Sequence, residues 1–279
     1  AAHPSHPLLS VNVAHPFFSP YLLLVAGGVL GLSVSPIDAL ALAGMANLIL
    51  LLVGLRLFIQ VLFERDQHVV SFYALLLTLF AWPASAWTWS GFYHFGVLGY
   101  VLPYPSTFAM ALTFLILALH ARCLEGWHPL GWIAATALTS IVLLTHPPTA
   151  IITLVGIGAL TMAETRRRGY RAWIVGLAVI AGAVLLALLW PYYSFAALVT
   201  DHDADFHARS YVLYSGVGAI WPTLVLLPLA GYTFRMRLRD NRLDALVLMT
   251  TVTTLVYLGG YISGRFGVGR VISFVAMLI

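Results

Sequence analysis

The chain has 279 residues, of which 61% are hydrophobic and only 9% are charged, and its mean hydropathy is +0.94. Soluble domains carry about 25% charged residues, so this composition excludes a soluble globular protein and predicts a polytopic membrane protein. All 14 basic residues are arginines. We attribute the net charge of +4 to arginines in the loops between membrane spans rather than to a basic nucleic-acid groove. No nucleic-acid partner is therefore expected.

The first apolar segment predicts a short helix in the membrane interface. Residues 17–33 read FFSPYLLLVAGGVLGLS, and the helix that follows at 37–63 ends beside the charged loop 64–68, which we place in the cytoplasm. That helix therefore starts outside, so the first segment both begins and ends outside. Ser35 and Asp38 have the spacing of a capping box, which favours Asp38 as a helix cap over a catalytic acid.

The remaining apolar segments predict a series of transmembrane helices, because about 20 apolar residues are needed to cross the hydrocarbon layer. The predicted spans lie near 37–63, 69–88, 103–121, 172–195, 215–234 and 244–263, with a last one beginning at 270.

The positions of the arginines predict the orientation of these spans, because short basic loops stay in the cytoplasm. Four loops hold most of the arginines and are expected to be cytoplasmic: 64–68, 121–128, 164–171 and 235–242. The alternate loops are then expected to face outward: 82–105, 196–211 and 263–270.

The apolar run 130–162 predicts a helical hairpin. A single straight helix of this length would measure about 50 Å, and both ends of the run adjoin arginine-bearing loops. Pro147 and Pro148 lack backbone donors and disfavour helix in the residue before each. We therefore expect helices at 130–145 and 149–163, joined by a turn that reaches the outer side.

The order of these elements resembles that of membrane glycosyltransferases of the C-type (GT-C) fold, a group that includes protein mannosyltransferase and aminoarabinose transferase relatives. In this family a basic or histidine residue followed by proline opens a short interfacial helix, and a turn ending in serine-proline leads into a long helix. The matching residues are His15, Pro16, Leu32, Ser33 and Pro36. Residues 264–279 are similar to the segment in which an arginine at the outer membrane edge opens a late helix.

The resemblance implies an all-α, polytopic transmembrane helix bundle of the GT-C type, with an outer interfacial helix and a short re-entrant hairpin. The chain would form a single transmembrane domain over 1–279. Residues 1–36 would be the outer loop and interfacial helix, and 37–279 would hold about seven spans and the hairpin 130–163. The implied setting is the cytoplasmic membrane of a bacterium or archaeon.

The activity implied by the resemblance is the transfer of a sugar from a polyprenyl-phosphate donor in the lipid bilayer to an acceptor at the outer face. The family's catalytic base is an aspartate or glutamate early in the first outer loop, and no acid precedes His15 here. The first span and the catalytic acid are therefore expected upstream of residue 1, or the protein lacks them. Within the chain, the outer-loop acids besides Asp38 are Asp201, Asp203 and Asp205.

The same outer loop is a candidate site for a divalent cation. Asp201, Asp203, Asp205 and His207 supply ligands at alternate positions, as hard cations prefer oxygen. The loop lacks the glycine and the terminal glutamate of a calcium loop, so a solvated acidic loop is the alternative.

Two outward arginines, Arg265 and Arg270, are candidates for holding the donor phosphate, because guanidinium binds phosphate in a bidentate manner. The alternative is that they anchor the chain at lipid headgroups. His146, at the turn of the predicted hairpin, and His15 are further candidates for the phosphate, with a purely structural turn as the alternative for His146.

Aromatic residues concentrate between 87 and 105, at an expected outer membrane edge. An aromatic belt at headgroup depth accounts for this pattern. The sharper hypothesis is a groove for the sugar or the polyprenyl chain, formed by Trp89, Tyr93, His94 and Tyr104.

Two other functions stay open. The first alternative is a non-catalytic GT-C-like subunit that binds membrane-protein partners in a larger complex. The absence of the acid motif favours this alternative. A transporter is the third hypothesis, although the predicted spans carry almost no mid-membrane charge for an ion or proton relay.

Overall fold

Our computed structural model describes residues 18–63, 67–80, 93–126, 128–200, 210–216 and 242–278. Within these ranges the chain is all-helical and has no β-strand. The α-helices are α1 (Pro20–Leu32), α2 (Pro36–Leu62), α3 (Gln67–Phe80), α4 (Leu98–Val101), α5 (Pro105–Glu125), α6 (Pro129–Thr145), α7 (Pro147–Arg168), α8 (Tyr170–Leu188), α9 (Phe195–Thr200), α10 (Val212–Ser215), α11 (Arg242–Ile262) and α12 (Ile272–Leu278). Short 3₁₀ helices at Phe95–Val97 and Phe266–Val271 precede α4 and α12.

Five helices of the described ranges are long and apolar enough to cross a membrane, which confirms the predicted all-α, polytopic bundle. They are Pro36–Leu62, Pro105–Glu125, Pro147–Thr165, Tyr170–Leu188 and Asp244–Ile262. The spans predicted at 37–63, 103–121, 172–195 and 244–263 correspond to four of them. The predicted span 69–88 is described only as α3, and the predicted span 215–234 lies, after residue 216, outside the described residues.

Proline sets where many of these helices begin. Helices α1, α2, α5, α6 and α7 each start at a proline, because the ring's fixed φ suits the first turn and its missing N–H is not needed there. At α2 the Ser35 side chain also accepts from Asp38 N at 3.2 Å and donates to the Asp38 carboxylate at 2.7 Å. Ser35 is therefore the N-cap of α2, and Asp38 bonds to it from the first turn, at the spacing that the sequence predicted.

The predicted hairpin forms around His146, which ends α6 and begins α7. Its second helix is longer than the predicted 149–163 at both ends: Pro147 and Pro148 form the first turn of α7, and the helix continues to Arg168. Helix α6 starts beside the end of α5, where a Cβ on Gly131 would lie 2.6 Å from Cys123 Sγ. The chain thus runs up α6 from the end of α5 and turns back at His146.

The direction of α7 follows from its contacts with α5. Thr113 and Thr153 hydroxyls lie 2.7 Å apart, and His120 Nε2 lies 3.0 Å from Thr161 Oγ1. Because the residue numbers rise together on both helices, α5 and α7 run in the same direction. Polar pairs of this kind hold helices together inside an apolar bundle.

The bundle therefore has two ends. We call the end that contains the turn at His146 and the start of α5 the histidine end. The opposite end, which we call the arginine end, contains the ends of α5 and α7, and there Arg242 Nη2 donates to Glu125 Oε1 at 2.8 Å. Helix α11 starts at this pair and runs to the histidine end, where the 3₁₀ helix Phe266–Val271 follows it.

Helix α1 lies against the histidine end through a small polar cluster. Asn47 Nδ2 of α2 donates to the Tyr21 hydroxyl at 3.1 Å and to Leu102 O at 2.8 Å, and Tyr21 donates to Pro103 O at 2.7 Å. Most of the rest of α1 is exposed, including Leu30 at 82%. The placement of α1 in the membrane interface stays a prediction.

Candidate functional site

The site is built first on His146, whose position follows from the two prolines after it. Pro147 and Pro148 have no N–H to give, so the first free backbone donor of α7 is Thr149 N. This N–H lies 3.3 Å from His146 Nδ1, and Thr149 Oγ1 lies 2.7 Å from the same atom. The imidazole is thereby held against the first turn of α7, with Nε2 pointing away from it.

Arg270, which ends the 3₁₀ helix near its junction with α12, meets that second ring nitrogen. Its Nη1 lies 3.3 Å from His146 Nε2, although the two residues are 124 positions apart in the chain. A guanidinium can only donate, so Nε2 is the acceptor in this contact. Two of the predicted phosphate-binding residues therefore lie side by side at the histidine end.

Burial and charge keep His146 neutral. Burial, and then the charge of Arg270, together lower the pKa of His146 to about 3. Burial also lowers the pKa of Arg270 from its ordinary value, but an arginine stays protonated. The pair thus carries a single positive charge on a guanidinium that is partly withdrawn from water, where an anion would interact with it more strongly than at a solvated surface.

Tyr214 packs against the segment that carries Arg270. We call the packing of Tyr214 against Gly260 and Gly269 the aromatic seat. Tyr214 of α10 donates to Tyr257 O at 3.1 Å, and the two rings stack with centroids 4.4 Å apart. A Cβ on Gly260 would lie 2.5 Å from the Tyr214 hydroxyl, and one on Gly269 would lie 2.7 Å from its ring. Tyr214 therefore fits between α11 and the 3₁₀ helix only because both positions are glycine.

The sequence analysis did not identify Tyr214 or Tyr257. The signal that could have pointed to them is the run of glycines at 259–260 and 264–269, since glycine beside a membrane span often permits close approach of another element. The partner of those glycines is set by tertiary packing and has no local signature.

The other described candidates lie in separate environments. Arg265 is exposed and precedes the 3₁₀ helix that leads to Arg270. His94 Nδ1 accepts from Gly96 N at 3.0 Å, so it caps the 3₁₀ helix Phe95–Val97.

Tyr93 is 2% exposed and Tyr104 is 51% exposed. The predicted groove stays a prediction, because its fourth member, Trp89, lies outside the described residues.

Several candidates lie outside the described residues altogether: His15, Asp201, Asp203, Asp205 and His207. The hypothesis of a divalent-cation site in residues 201–207 therefore stays a prediction. In the part of the chain that the structure describes, no group of three or more His, Cys, Asp or Glu residues could hold a metal ion.

Of the four described carboxylates, three lie at the arginine end and Asp38 lies in the first turn of α2. Asp38 accepts from the Ser35 hydroxyl at the start of α2, Glu125 pairs with Arg242 at the arginine end, and Glu164 pairs with Arg168 at 2.9 Å. Asp244 lies in the first turn of α11, also at the arginine end. A guanidinium such as that of Arg270 suits an anion by its chemistry.

The fold defines the class of protein: a polytopic helical bundle compatible with an integral membrane protein. Comparison of the chain with protein-family models, with curated proteins and with solved structures gave no match. The function must therefore follow from the residues and their geometry.

Proposed function

We propose that the chain is a glycosyltransferase-like membrane protein that binds a polyprenyl-phosphate sugar at the histidine end, for transfer to an acceptor at the outer face. The observation that supports this most is the meeting of His146 and Arg270 at 3.3 Å, at the turn of a hairpin. Guanidinium binds phosphate through two parallel hydrogen bonds. A phosphate beside the pair would also favour the protonated form of His146, which would then add a second donor.

The proposed orientation places the histidine end outside and the arginine end in the cytoplasm. Helices α5 and α7 end near Arg122 and Arg168, and α8 begins near Arg171. Basic residues beside span ends favour the cytoplasmic side. The polyprenyl chain would then lie in the outer half of the bilayer, with its phosphate at the depth of Arg270.

Binding of undecaprenyl phosphate by the purified protein in detergent tests the phosphate site. The native protein should bind undecaprenyl phosphate more tightly than undecaprenol, which has the same chain without the charge. Arg270→Ala should remove that preference, and Arg270→Lys should restore only part of it because an ammonium lacks the planar fork. Arg56→Ala, an exposed arginine on α2, is the matched control and should bind like the native protein. Equal binding of undecaprenyl phosphate by R270A and R56A would contradict the proposed phosphate site.

Sugar transfer is tested separately in proteoliposomes, with a panel of polyprenyl-phosphate hexoses and host membrane extract as the acceptor source. We expect R270A to lower the transfer rate by about 100-fold or more, as is typical when one preorganised donor to a developing anion is lost. Transfer by R270A at the rate of R56A would contradict the proposed role.

The non-catalytic subunit is the second candidate, and one observation favours it. Three of the described carboxylates lie at the arginine end and Asp38 bonds to Ser35 in the first turn of α2, so none of these four is bonded to His146. Phosphate binding without transfer, together with stoichiometric co-purification of a membrane protein that carries the base, would select this alternative.

A further inference from the structure

A long apolar groove lies between α6 and α8, on the outside of the bundle and away from His146. Its volume is about 820 Å³, within the range of roughly 300–1,000 Å³ that is usual for ligand sites. We call it the α6–α8 groove and define it by Ile133, Thr136, Ala137, Ile174, Ala178 and Leu186.

Close packing of two small residues forms the base of this groove. A Cβ on Gly182 of α8 would lie 2.9 Å from Thr136 Cγ2 of α6, so the two helices touch there. Side chains beside this contact are open to the surroundings, with Ile133 exposed to 65% and Ile174 to 59%. The groove is therefore a furrow on the lipid-facing surface of the bundle.

The charges along the groove lie at one end only. Among its lining residues in the described chain, the charged ones are Arg168 and Arg171, both at the arginine end. Glu164 pairs with Arg168 Nε at 2.9 Å, the Arg168 side chain is 42% exposed, and Arg171 is exposed. One end of the groove is thus cationic and the rest is apolar.

The length of the groove suits a membrane lipid. From Arg171 to Leu186 along α8 the distance is about 22 Å at 1.5 Å per residue, roughly two thirds of the hydrocarbon thickness of a bilayer. Trp132 and Tyr170 also line the cationic end, where aromatic rings are favoured at headgroup depth.

We propose that the α6–α8 groove binds one anionic phospholipid, with its phosphate at Arg168 and Arg171 and an acyl chain along Ala137 and Ala178. Cationic pockets between transmembrane helices are known sites for anionic headgroups, and the charge pattern here matches that of such a lipid. The cationic end of the groove lies at the end of the bundle opposite Arg270, so this inference does not depend on the proposed function.

Native mass spectrometry of the purified protein in detergent tests this proposal, with dioleoylphosphatidylglycerol and dioleoylphosphatidylcholine as probes. The native protein should retain one phosphatidylglycerol in preference to phosphatidylcholine. Arg171→Gln should weaken phosphatidylglycerol binding about fivefold, whereas Arg56→Gln, the same change on α2, should not. Ala178→Phe should block the groove, whereas Ala181→Phe, at an exposed position of α8 outside it, should not.

Thermal unfolding of each variant in lipid-free detergent shows whether it still folds. Equal retention of the two lipids by the native protein would overturn the proposal, because the arginines would then not select the headgroup. Equal retention of phosphatidylglycerol by the folded A178F and A181F proteins would also overturn it. A membrane-protein helix found in the groove in place of lipid would do so as well.

Discussion

At the scale of single residues, His146 has two roles that a sequence pattern does not separate. Its Nδ1 lies against the first turn of α7, and its Nε2 lies 3.3 Å from Arg270. The sequence of residues 143–152, LLTHPPTAII, predicted the break in the helix correctly, because the missing N–H groups of two prolines act locally. It could not predict the contact with Arg270, which depends on how α7 and the 3₁₀ helix pack.

The pH dependence of stability should reveal the buried, neutral state of His146. Its pKa is lowered from 6.5 to about 3, so the unfolded chain takes up a proton first as the solution is acidified. The stability that this residue contributes is complete above pH 6.5. It is lost as the pH falls towards 3, by at most about 1.4 kcal/mol per pH unit.

His146→Asn provides the comparison, since asparagine caps a helix well and does not titrate. In detergent, the midpoint of thermal unfolding of the native protein should fall more steeply between pH 7 and pH 4 than that of H146N. Parallel pH profiles for the two proteins would mean that His146 is not held neutral.

At the scale of elements, the segment 263–278 shows what the sequence could and could not predict. The last helix was expected to begin at 270, and α12 begins at 272 after a 3₁₀ helix. The composition of FGVGR does not favour α-helix, because glycine loses much backbone entropy there. The seat between Gly260, Gly269 and Tyr214 requires α10, which is about 50 residues away in the chain, and no local propensity encodes it.

Gly269→Ala should disturb this seat. The new methyl group would lie 2.7 Å from the Tyr214 ring, and such overpacking costs about 1–3 kcal/mol. The midpoint of thermal unfolding should therefore fall, and binding of undecaprenyl phosphate should weaken because Arg270 follows directly.

Gly259→Ala is the matched control, since a Cβ at Gly259 meets nothing within 4 Å. This change in α11 should leave stability the same or raise it slightly, because alanine favours helix over glycine by about 1 kcal/mol. Equal stability and equal binding in G269A and G259A would show that Tyr214 moves aside without cost.

At the scale of the whole molecule, two independent kinds of information agree on the grouping of the loops. Arginine counting assigned 121–128 and 164–171 to one side of the membrane, and contacts such as that of Cys123 with Gly131 place both loops at the arginine end. The turn at His146 and residues 263–270 were assigned to the other side, and they meet at the histidine end. The grouping follows from helix lengths and the break at His146, which are local properties, whereas the side that each end faces depends on the membrane and stays a prediction.

Accessibility of engineered cysteines in intact cells should establish the orientation. The chain has one cysteine, Cys123, which is 2% exposed, so the native protein should react little with a membrane-impermeant maleimide. Ser263→Cys places a thiol at the exposed end of α11, at the histidine end, and Tyr170→Cys places one at the exposed start of α8, at the arginine end. Because basic ends stay in the cytoplasm, S263C should be labelled in intact cells and Y170C only after the membrane is permeabilised. The reverse pattern would put the pair of His146 and Arg270 on the cytoplasmic side, where it could not receive a donor from the outer leaflet, and labelling of both in intact cells would contradict the membrane-spanning arrangement of α7, α8 and α11.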